Sequence, residues 1–465
     1  MPPIDLVALD ATEQADMVRS RTISATQLVE ATLARIDNIE PMVNAFRVVM
    51  SKEALADAAR IDSLPDAELA KLQLAGIPVA IKDDTDVAGQ STMWGSAVDR
   101  GICEQDSKVV GRLRQAGAVI IGKTNTPELT LWPWTATDRW GVTRNPWDLD
   151  RTPGGSSGGS TAAVCTGMAA MALGSDGGGS VRYPAGLTGL VGLKPQRDRV
   201  PLGPEHASGW HGLVALGPLT RSVRDAALFL DVISSTSTTA TFRDAINKPV
   251  IPLRIALSMN SPPGTQVSLS QARRQSVEDA ADLLASLGHE IIEIEIDYGL
   301  ASLWNSTVRL LKGAQHDVDS MTNGDRLEAR TRAVARLGRV IPNRSLRAAL
   351  RHEQRVTMSI NRVFDATDVV LTPLCESPAP LVDRCPKRGA IHSLRAANTS
   401  AWLVPWNLTG QPAIAIPTGV DDDNLPTAIH LAGQAGEETT LLALAGQIEH
   451  VRPFPRWTET SIDHK

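Results

Sequence analysis

The chain has 465 residues, of which 42% are hydrophobic and 21% are charged, a composition typical of a soluble globular protein with a sizeable core. Its 46 basic and 52 acidic residues give a net charge of −6, so no excess of positive charge predicts a nucleic-acid partner. The opening residues, MPPIDLVALD, have neither the basic nor the apolar region of a signal peptide, and no apolar run is long enough to span a bilayer. We therefore expect a cytoplasmic protein without a membrane partner.

Cysteine and histidine usage predicts neither disulfides nor a metal site. The four cysteines are far apart in the sequence and form no C-x-x-C pair: Cys103, Cys165, Cys375 and Cys385. The nine histidines form no H-E-x-x-H motif. His206 and His211 flank Trp210 in a stretch of loop character, where we expect ordinary core or surface histidines, with a pocket wall as the alternative.

The N-terminal part of the chain has two helix signals. Asp10 begins the first and Ser24 the second, and each is followed three residues later by Glu or Gln, the pattern of a capping box. The second helix is expected to stop before Pro41. These signals predict an N-terminal helical segment of about residues 1–70, packed on the rest of the protein.

Short apolar strands and helices then alternate along the chain. The predicted strands are 77–82, 118–122, 253–258, 289–296, 368–373, 412–417 and 427–433. The predicted helices are 107–117, 222–234, 268–288 and 437–449. This alternation predicts an α/β fold with a central sheet, and we expect one domain over residues 1–465.

Two further stretches have a distinctive composition. Residues 160–174 are rich in alanine and other small residues, which predicts a helix packed tightly inside the protein. Residues 326–362 are basic and helical in pattern. Because acidic residues are interspersed, a solvated helix face is a better interpretation than a site for an anionic partner.

The stretch PGGSSGGS, residues 153–160, places two serines between two glycine pairs and allows three interpretations. A phosphate-binding loop would need the lysine of G-x-x-x-x-G-K-[ST] or the spacing G-x-G-x-x-G, and both are absent. The strand VAIK resembles the lysine strand of protein kinases, but the chain has no H-R-D or D-F-G motif. A structural role, close packing of a helix on the sheet, and a role in nucleophilic catalysis both stay open for the motif alone.

A second glycine-rich serine lies downstream in GSDGGGSVRYPAG, residues 174–186. Gly177, Gly178 and Gly179 precede Ser180, and consecutive N–H groups in such a turn can converge on an oxyanion. A serine nucleophile needs a base, and Lys82 at the end of an apolar strand is a candidate if burial lowers its pKa. The neighbouring residues 83 and 84 are aspartates that oppose this shift, so they must point elsewhere or be outweighed by desolvation.

Taken together, these stretches resemble the amidase signature family, serine hydrolases with a Ser–Ser–Lys triad. The motifs that carry the resemblance follow the family in order over nearly the whole chain: GIPVAIKDD, AGAVIIGKTNTPE, GVTRNPWDLDRTPGGSSGGSTAAV, GSDGGGSVRYPA, GLVGLKP, NLTGQPAIAIPTG and LPTAIHLAGQAGEETTLLALAGQIE. The broad-specificity amidases of the family are the most similar, with some likeness to the hydrolase of cyclic nylon dimers. The resemblance implies the amidase signature fold, an α/β fold with a large twisted mixed sheet flanked by helices on both faces.

The resemblance also implies catalytic roles. Ser180 matches the acyl-enzyme nucleophile, Lys82 the general base, and Ser156 the serine that passes a proton between them. The peptide bond at Ser156 is implied to be cis, and the glycines on both sides allow such a backbone. The N–H groups that match the oxyanion hole are those of Gly177, Gly178, Gly179 and Ser180.

Candidates for substrate binding lie on both sides of the first motif. Thr130 matches a residue of the family's acyl pocket, and Ser157 lies beside the relay serine. Trp132 and Trp134 follow Thr130, and they predict either an aromatic pocket wall or ordinary core packing.

Other residues near the nucleophile are expected to have no catalytic role. We expect Asp176 and Arg182, which flank Ser180, to pair and brace the turn, with a surface ion pair as the alternative. His430 stands where many members of the family have glutamine, and we expect this departure to affect the pocket rim and not the triad.

The sequence therefore predicts an amidase that hydrolyses a linear carboxylic amide to an acid and ammonia or an amine. A small-molecule amide is the expected partner, no metal or organic cofactor is expected, and a homodimer is compatible with the sequence. Two alternatives stay open: the A subunit of a tRNA-dependent amidotransferase, and a non-catalytic binding protein on the same scaffold.

Overall fold

The computed structural model describes residues 5–206, 208–235, 241–265, 267–385 and 401–459. Its strands are β1 (Phe46–Val49), β2 (Pro78–Lys82), β3 (Val119–Thr124), β4 (Ala136–Thr137), β5 (Gly141–Val142), β6 (Met171–Asp176), β7 (Val191–Lys194), β8 (Ala215–Thr220), β9 (Arg254–Leu257), β10 (Glu290–Glu293), β11 (Val369–Pro373), β12 (Ala413–Val420) and β13 (Pro426–Gly433). Its α-helices are α1 (Ala11–Arg19), α2 (Ala25–Val43), α3 (Ser51–Asp62), α4 (Asp66–Leu69), α5 (Lys108–Gln115), α6 (Gly158–Cys165), α7 (Arg182–Leu187), α8 (Val223–Ile233), α9 (Phe242–Ile246), α10 (Gln271–Ser286), α11 (Gly299–Asp319), α12 (Ala329–Val340), α13 (Asn343–Asn361), α14 (Val404–Leu408) and α15 (Glu438–Val451).

The predicted central sheet is confirmed as a mixed sheet. Eleven strands of the described chain form it, in the order β1-β3-β2-β6-β8-β7-β12-β13-β11-β9-β10. Strands β3, β2 and β6 are parallel to one another, and so are β11, β9 and β10. The strands between β6 and β11 run antiparallel to their neighbours. The remaining strands, β4 and β5, form a separate hairpin.

The N-terminal helices begin where the capping boxes predict, and both boxes are present in the structure. The predicted stop before Pro41 is wrong, because α2 continues through this proline to Val43. The φ angle of proline is compatible with a helix, and the missing N–H removes only one hydrogen bond so close to the helix end. Asn44 caps the helix: its N–H donates to the carbonyl of Glu40 at 2.9 Å, and its left-handed conformation turns the chain out of the helix.

Two other local predictions need correction. The small-residue stretch 160–174 is not one helix, since α6 ends at Cys165 and the chain continues into the buried strand β6. Gly167, at φ +77°, turns the chain between them. The first 70 residues are not helical throughout, because they contribute the edge strand β1, which pairs with β3. The single domain over residues 1–465 stays a prediction.

The sheet topology brings three distant sequence motifs to one place. Strands β2 and β6 are parallel neighbours, with Ile81 paired to Leu173, so their carboxyl ends lie at the same edge of the sheet. Lys82 is the last residue of β2, and the turn that carries Ser180 directly follows β6. The loop before α6, which carries Ser156, reaches the same edge. Among the described helices, none has both the length and the apolar character needed to cross a membrane.

Candidate active site

Lys82 lies fully buried at the point where these motifs meet. Its Nζ is 2.7 Å from Ser156 Oγ and 2.7 Å from Ser175 Oγ, and 3.4 Å from the Ser175 carbonyl oxygen. Asp84 Oδ2 is 3.3 Å from the same nitrogen and accepts a hydrogen bond from the Ser175 hydroxyl. These contacts fix the amine beside Ser156, so the predicted Lys82–Ser156 contact is present.

The two aspartates after Lys82 take different positions. Asp83 turns away and pairs with Arg47 at 2.8 Å and with Lys123 at 3.0 Å. Asp84 stays next to Lys82, so it is not directed away from the amine. Burial nevertheless lowers the pKa of Lys82 below its ordinary value, against the opposing charges of Asp84 and Asp176. Asp83 therefore points away from the amine, whereas the effect of Asp84 on the pKa of Lys82 is outweighed by desolvation.

Asp84 itself is held in the charged form. Burial raises its pKa, but Lys82, His206 and the hydrogen bond from Ser175 together bring the pKa below the ordinary value of an aspartate. A neutral Lys82 has two N–H donors and one lone pair. Because the Ser175 and Asp84 oxygens are acceptors for these N–H groups, the lone pair is left for the hydroxyl of Ser156.

Ser156 and Ser180 open into one cavity. The Gly155–Ser156 peptide bond is cis, as the resemblance implies, and the Ser156 side chain is buried. Ser156, Ser175, Gly177 and Ser180 all line a cavity with about 320 Å³ of empty space, its open mouth included. Within the described ranges the Ser180 hydroxyl has no hydrogen-bond partner, so the predicted link from Ser156 to Ser180 is not closed in this structure.

The glycine turn before Ser180 is braced by Asp176. Its carboxylate accepts hydrogen bonds from the N–H of Gly179 at 2.7 Å and from that of Val181 at 3.2 Å. The N–H of Gly179 is therefore directed at Asp176 and not at the cavity, which differs from its expected role in the oxyanion hole. The N–H groups of Gly177, Gly178 and Ser180 have no partner among the described residues.

Arg182 pairs with Asp176 in the protein interior, as predicted. Its guanidinium contacts both carboxylate oxygens at 3.0 Å, and the pair is fully buried, which excludes the alternative of a surface ion pair. Asn407 joins the network, accepting from Arg182 at 2.7 Å and donating to Asp176 at 2.8 Å. Burial raises the pKa of Asp176, but Arg182 and Asn407 outweigh it and hold the pKa well below its ordinary value.

His430 contacts Arg182 of this network in the protein interior. It does not lie at the pocket rim, so the expectation that it affects the rim is wrong. It is fully buried, and its Nε2 is 3.0 Å from Arg182 Nη1. A guanidinium can only donate, so Nε2 accepts and Nδ1 carries the proton that bonds to Thr372 Oγ1 at 3.0 Å. Burial first, and then the charge of Arg182, lower the pKa of His430 and keep it neutral.

Replacing Arg182 by alanine is expected to lower the free energy of unfolding by about 3–5 kcal/mol, because it leaves the Asp176 carboxylate buried without a cation. Urea unfolding followed by circular dichroism measures this loss. Arg254→Ala, which breaks the exposed pair with Asp368, is the matched control and is expected to change stability far less. Equal effects of the two substitutions would contradict a bracing role for Arg182.

The predicted substrate-binding residues separate into two groups. Thr130 lines the cavity. Trp132 does not: its ring is stacked on Trp134 with centroids 5.7 Å apart, and Arg330 lies over both rings. The two tryptophans therefore belong to a hydrophobic cluster, which agrees with the alternative of core packing, and Trp132 is not among the residues that line this cavity. Ser157 is fully buried and donates to the Ser175 carbonyl at 3.3 Å, so its hydroxyl supports the turn.

Residues that the sequence analysis did not single out as cavity residues complete the wall. Trp94, Ser208, Trp210 and Asp317 line it, together with His206, one of the two histidines for which a pocket wall was the alternative expectation. Asp317 lies on α11, far from either serine motif in the sequence, and no local pattern distinguishes it from other helical aspartates. Trp94 has φ +54°, which only the folded loop reveals.

Comparison with known proteins identifies the family of the chain. The sequence model of the family described as Amidase matches residues 27–442. The protein named "Putative amidase AmiB2" in Mycobacterium tuberculosis is 44% identical over 456 residues, covering 98% of both chains. The A subunit of the glutamyl-tRNA(Gln) amidotransferase from Prochlorococcus marinus is 36% identical, and the match covers 92% of this chain and 94% of the other.

Among solved structures, that of 6-aminohexanoate cyclic dimer hydrolase complexed with substrate superposes with a TM-score of 0.88. The two chains are 28% identical, and the match covers 97% of this chain and 98% of the other. The family match over most of the chain and the identity to the mycobacterial relative confirm the family that the sequence motifs predict. The chain belongs to the amidase family of hydrolases, the amidase signature enzymes.

Proposed function

We propose that this protein hydrolyses a linear carboxylic amide to an acid and ammonia or an amine through an acyl-enzyme on Ser180. One observation carries the proposal: a buried lysine of lowered pKa lies 2.7 Å from Ser156, whose hydroxyl opens into the same cavity as Ser180. Perturbed pKa values in a cleft are a frequent property of catalytic groups.

In the proposed reaction, neutral Lys82 takes a proton from Ser156 while Ser156 takes one from Ser180, whose oxygen attacks the amide carbon. The C–N bond then breaks, and the amine leaves with a proton returned through Ser156. Water resolves the acyl-enzyme along the same relay. Catalytic hydrogen bonds are often long before a substrate binds, and we expect the Ser156–Ser180 bond to close in the complex.

The oxyanion of the tetrahedral intermediate would accept from the free N–H groups of Gly177, Gly178 and Ser180. The hydrogen bonds of Asp176 hold this turn in shape without using those three N–H groups. Each such donor is typically worth on the order of 10²–10³ in rate. No metal or organic cofactor enters this scheme.

The purified chain alone is expected to release ammonia from simple primary amides, because the proposed base, relay and nucleophile all lie on this one chain. Ammonia release from propanamide, benzamide and glutamine measures this directly. A chain that releases ammonia only from glutamine, and only together with a second protein chain, would instead be the glutamine-hydrolysing component of a tRNA-dependent amidotransferase. The 36% identity to such an amidotransferase component motivates this second candidate.

The stand-alone amidase is favoured over that candidate by the higher identity, 44%, to the mycobacterial relative. The likeness to the cyclic dimer hydrolase makes cyclic amides a necessary second set of test substrates. A non-catalytic binding protein would need no buried lysine in contact with two serine hydroxyls, so the same observation weighs against that alternative.

A further inference from the structure

The indole of Trp210 forms the cavity wall next to the proposed oxyanion turn. A Cβ atom built on Gly177 would lie 2.8 Å from Trp210 Cε3, so the ring lies directly against this glycine. On the other side, a Cβ atom on Gly313 of α11 would lie 2.7 Å from Trp210 Cδ1. The ring therefore fills a slot between two glycines and has no room to move toward either.

Polar contacts fix the orientation of the ring within this slot. The indole N–H donates to Asp317 Oδ2 at 3.1 Å, and the Ser208 hydroxyl donates to Asp317 Oδ1 at 2.8 Å. The backbone of Trp210 has φ +44°, an uncommon conformation for a large side chain that the surroundings must maintain.

The loop that carries Trp210 is tied to the proposed oxyanion turn. Asn407 donates to the Leu213 carbonyl at 3.1 Å and to Asp176 at 2.8 Å. Arg309 donates to the carbonyl of His211, which follows Trp210. The position of the ring relative to Gly177 is thus set by the same network that braces the turn before Ser180.

The rest of the cavity wall offers no charged group that is free to pair with a substrate. Among the described residues, no lysine or arginine side chain lines it, and its carboxylate, on Asp317, already accepts from two donors. Burial lowers the pKa of His206, which favours the neutral ring. A charged substrate group would lose its hydration there without gaining an ionic partner of its own.

We propose that Trp210 is a specificity-determining residue that restricts the carbonyl substituent entering this cavity to small, uncharged groups, and that Asp317 is a positioning residue that holds the indole. This inference rests on the proposed amide hydrolysis. It predicts that the wild type prefers propanamide to benzamide, and that shortening the side chain at position 210 reverses or weakens that preference.

The test compares kcat/KM for two substrate series in the wild type, Trp210→Phe and Trp210→Leu. One series varies the acyl group, from propanamide to benzamide, and the other varies the amine, from N-methylpropanamide to N-phenylpropanamide. We expect the ratio of benzamide to propanamide turnover to rise by roughly tenfold or more in the Trp210 variants, the scale at which a pocket discriminates by size, and the amine series serves as the comparison. Trp147→Leu, which removes a buried indole bonded to the Thr188 carbonyl outside the cavity, should leave both ratios unchanged.

Variants of Asp317 separate positioning from a merely structural role. Asp317→Ala should shift the same ratio in the same direction, through KM more than kcat, whereas Asp317→Asn keeps an acceptor for the indole and should restore the wild-type ratio. An unchanged ratio of benzamide to propanamide turnover in a Trp210 variant that still hydrolyses propanamide would overturn the inference, as would a wild-type preference for benzamide. No turnover of any amide by the wild type would instead contradict the proposed function itself, and the inference with it.

Discussion

Replacing Ser180 by alanine is expected to abolish amide turnover, with kcat lower by on the order of 10⁴-fold or more, because the acyl-enzyme has no oxygen on which to form. The fold should be preserved, since the Ser180 hydroxyl has no hydrogen-bond partner within the described ranges and is only half-buried. The measurement is intact-mass spectrometry after treatment with a fluorophosphonate probe. The wild type should gain one adduct, and Ser180→Ala should gain none.

Ser160→Ala is the matched control for this experiment. Ser160 belongs to the same glycine–serine motif, but its buried hydroxyl bonds to Thr124 Oγ1 at 2.7 Å behind the cavity. This variant should still be labelled once. If Ser180→Ala is labelled as strongly as the wild type, the nucleophile lies elsewhere and the proposed mechanism is wrong.

The parts of this site that could be predicted from the sequence are those encoded by short, contiguous motifs. Lys82, Ser156 and Ser180 each lie in such a motif, and parallel pairing of β2 with β6 is enough to bring two of them to one edge of the sheet. The pairing of Asp176 with Arg182 could also be predicted, because both belong to the turn around Ser180.

The parts that could not be predicted depend on contacts between distant segments. Asp317 reaches the cavity because α11 packs behind the loop that carries Trp210. No residue near Asp317 in the sequence indicates this contact with Trp210. Trp132 lies only two residues after Thr130, yet its ring packs against Trp134 and Arg330 of α12 and not in the cavity.

Hydrogen-bond direction is a second kind of information that the sequence lacks. The motif GGGS makes three glycine N–H groups equivalent candidates for the oxyanion hole. Only the folded turn directs one of them, that of Gly179, to the carboxylate of Asp176. The same holds for residues 83 and 84, two adjacent aspartates of which one faces the proposed base and the other faces Lys123.

Replacing Lys82 by methionine is expected to lower kcat by about 10²–10⁴-fold, the usual contribution of a general base. Lys82→Arg should be equally impaired, because a guanidinium stays protonated and cannot accept the proton of Ser156. This second variant places a permanent positive charge beside Asp84, so its loss of activity cannot be attributed to an unpaired buried carboxylate. Initial rates of ammonia release, together with urea unfolding of each variant, separate the two effects.

Lys123→Met is the control for the removal of a buried lysine. Lys123 is as fully buried as Lys82, lies on the adjacent strand and pairs with Asp83 at 3.0 Å, but it does not line the cavity. This substitution should lower the unfolding midpoint and leave the turnover of the folded enzyme close to that of the wild type. A loss of turnover as large as that of Lys82→Met would mean that any buried lysine of this sheet edge is required, which contradicts the specific role of Lys82.

The pH dependence of the wild type provides an independent test of the same base. The neutral amine is the active form, and burial lowers the pKa of Lys82 below its ordinary value of 10.5. The neutral fraction therefore develops at lower pH than for an exposed lysine, and kcat/KM should fall as the pH decreases through the lowered pKa, where the amine takes up its proton. Asp84→Asn removes the nearest charge that favours the protonated amine, so it should move this acidic limb further toward low pH. If the acidic limb of the kcat/KM profile lies at the same pH in Asp84→Asn as in the wild type, the group that titrates there is not Lys82.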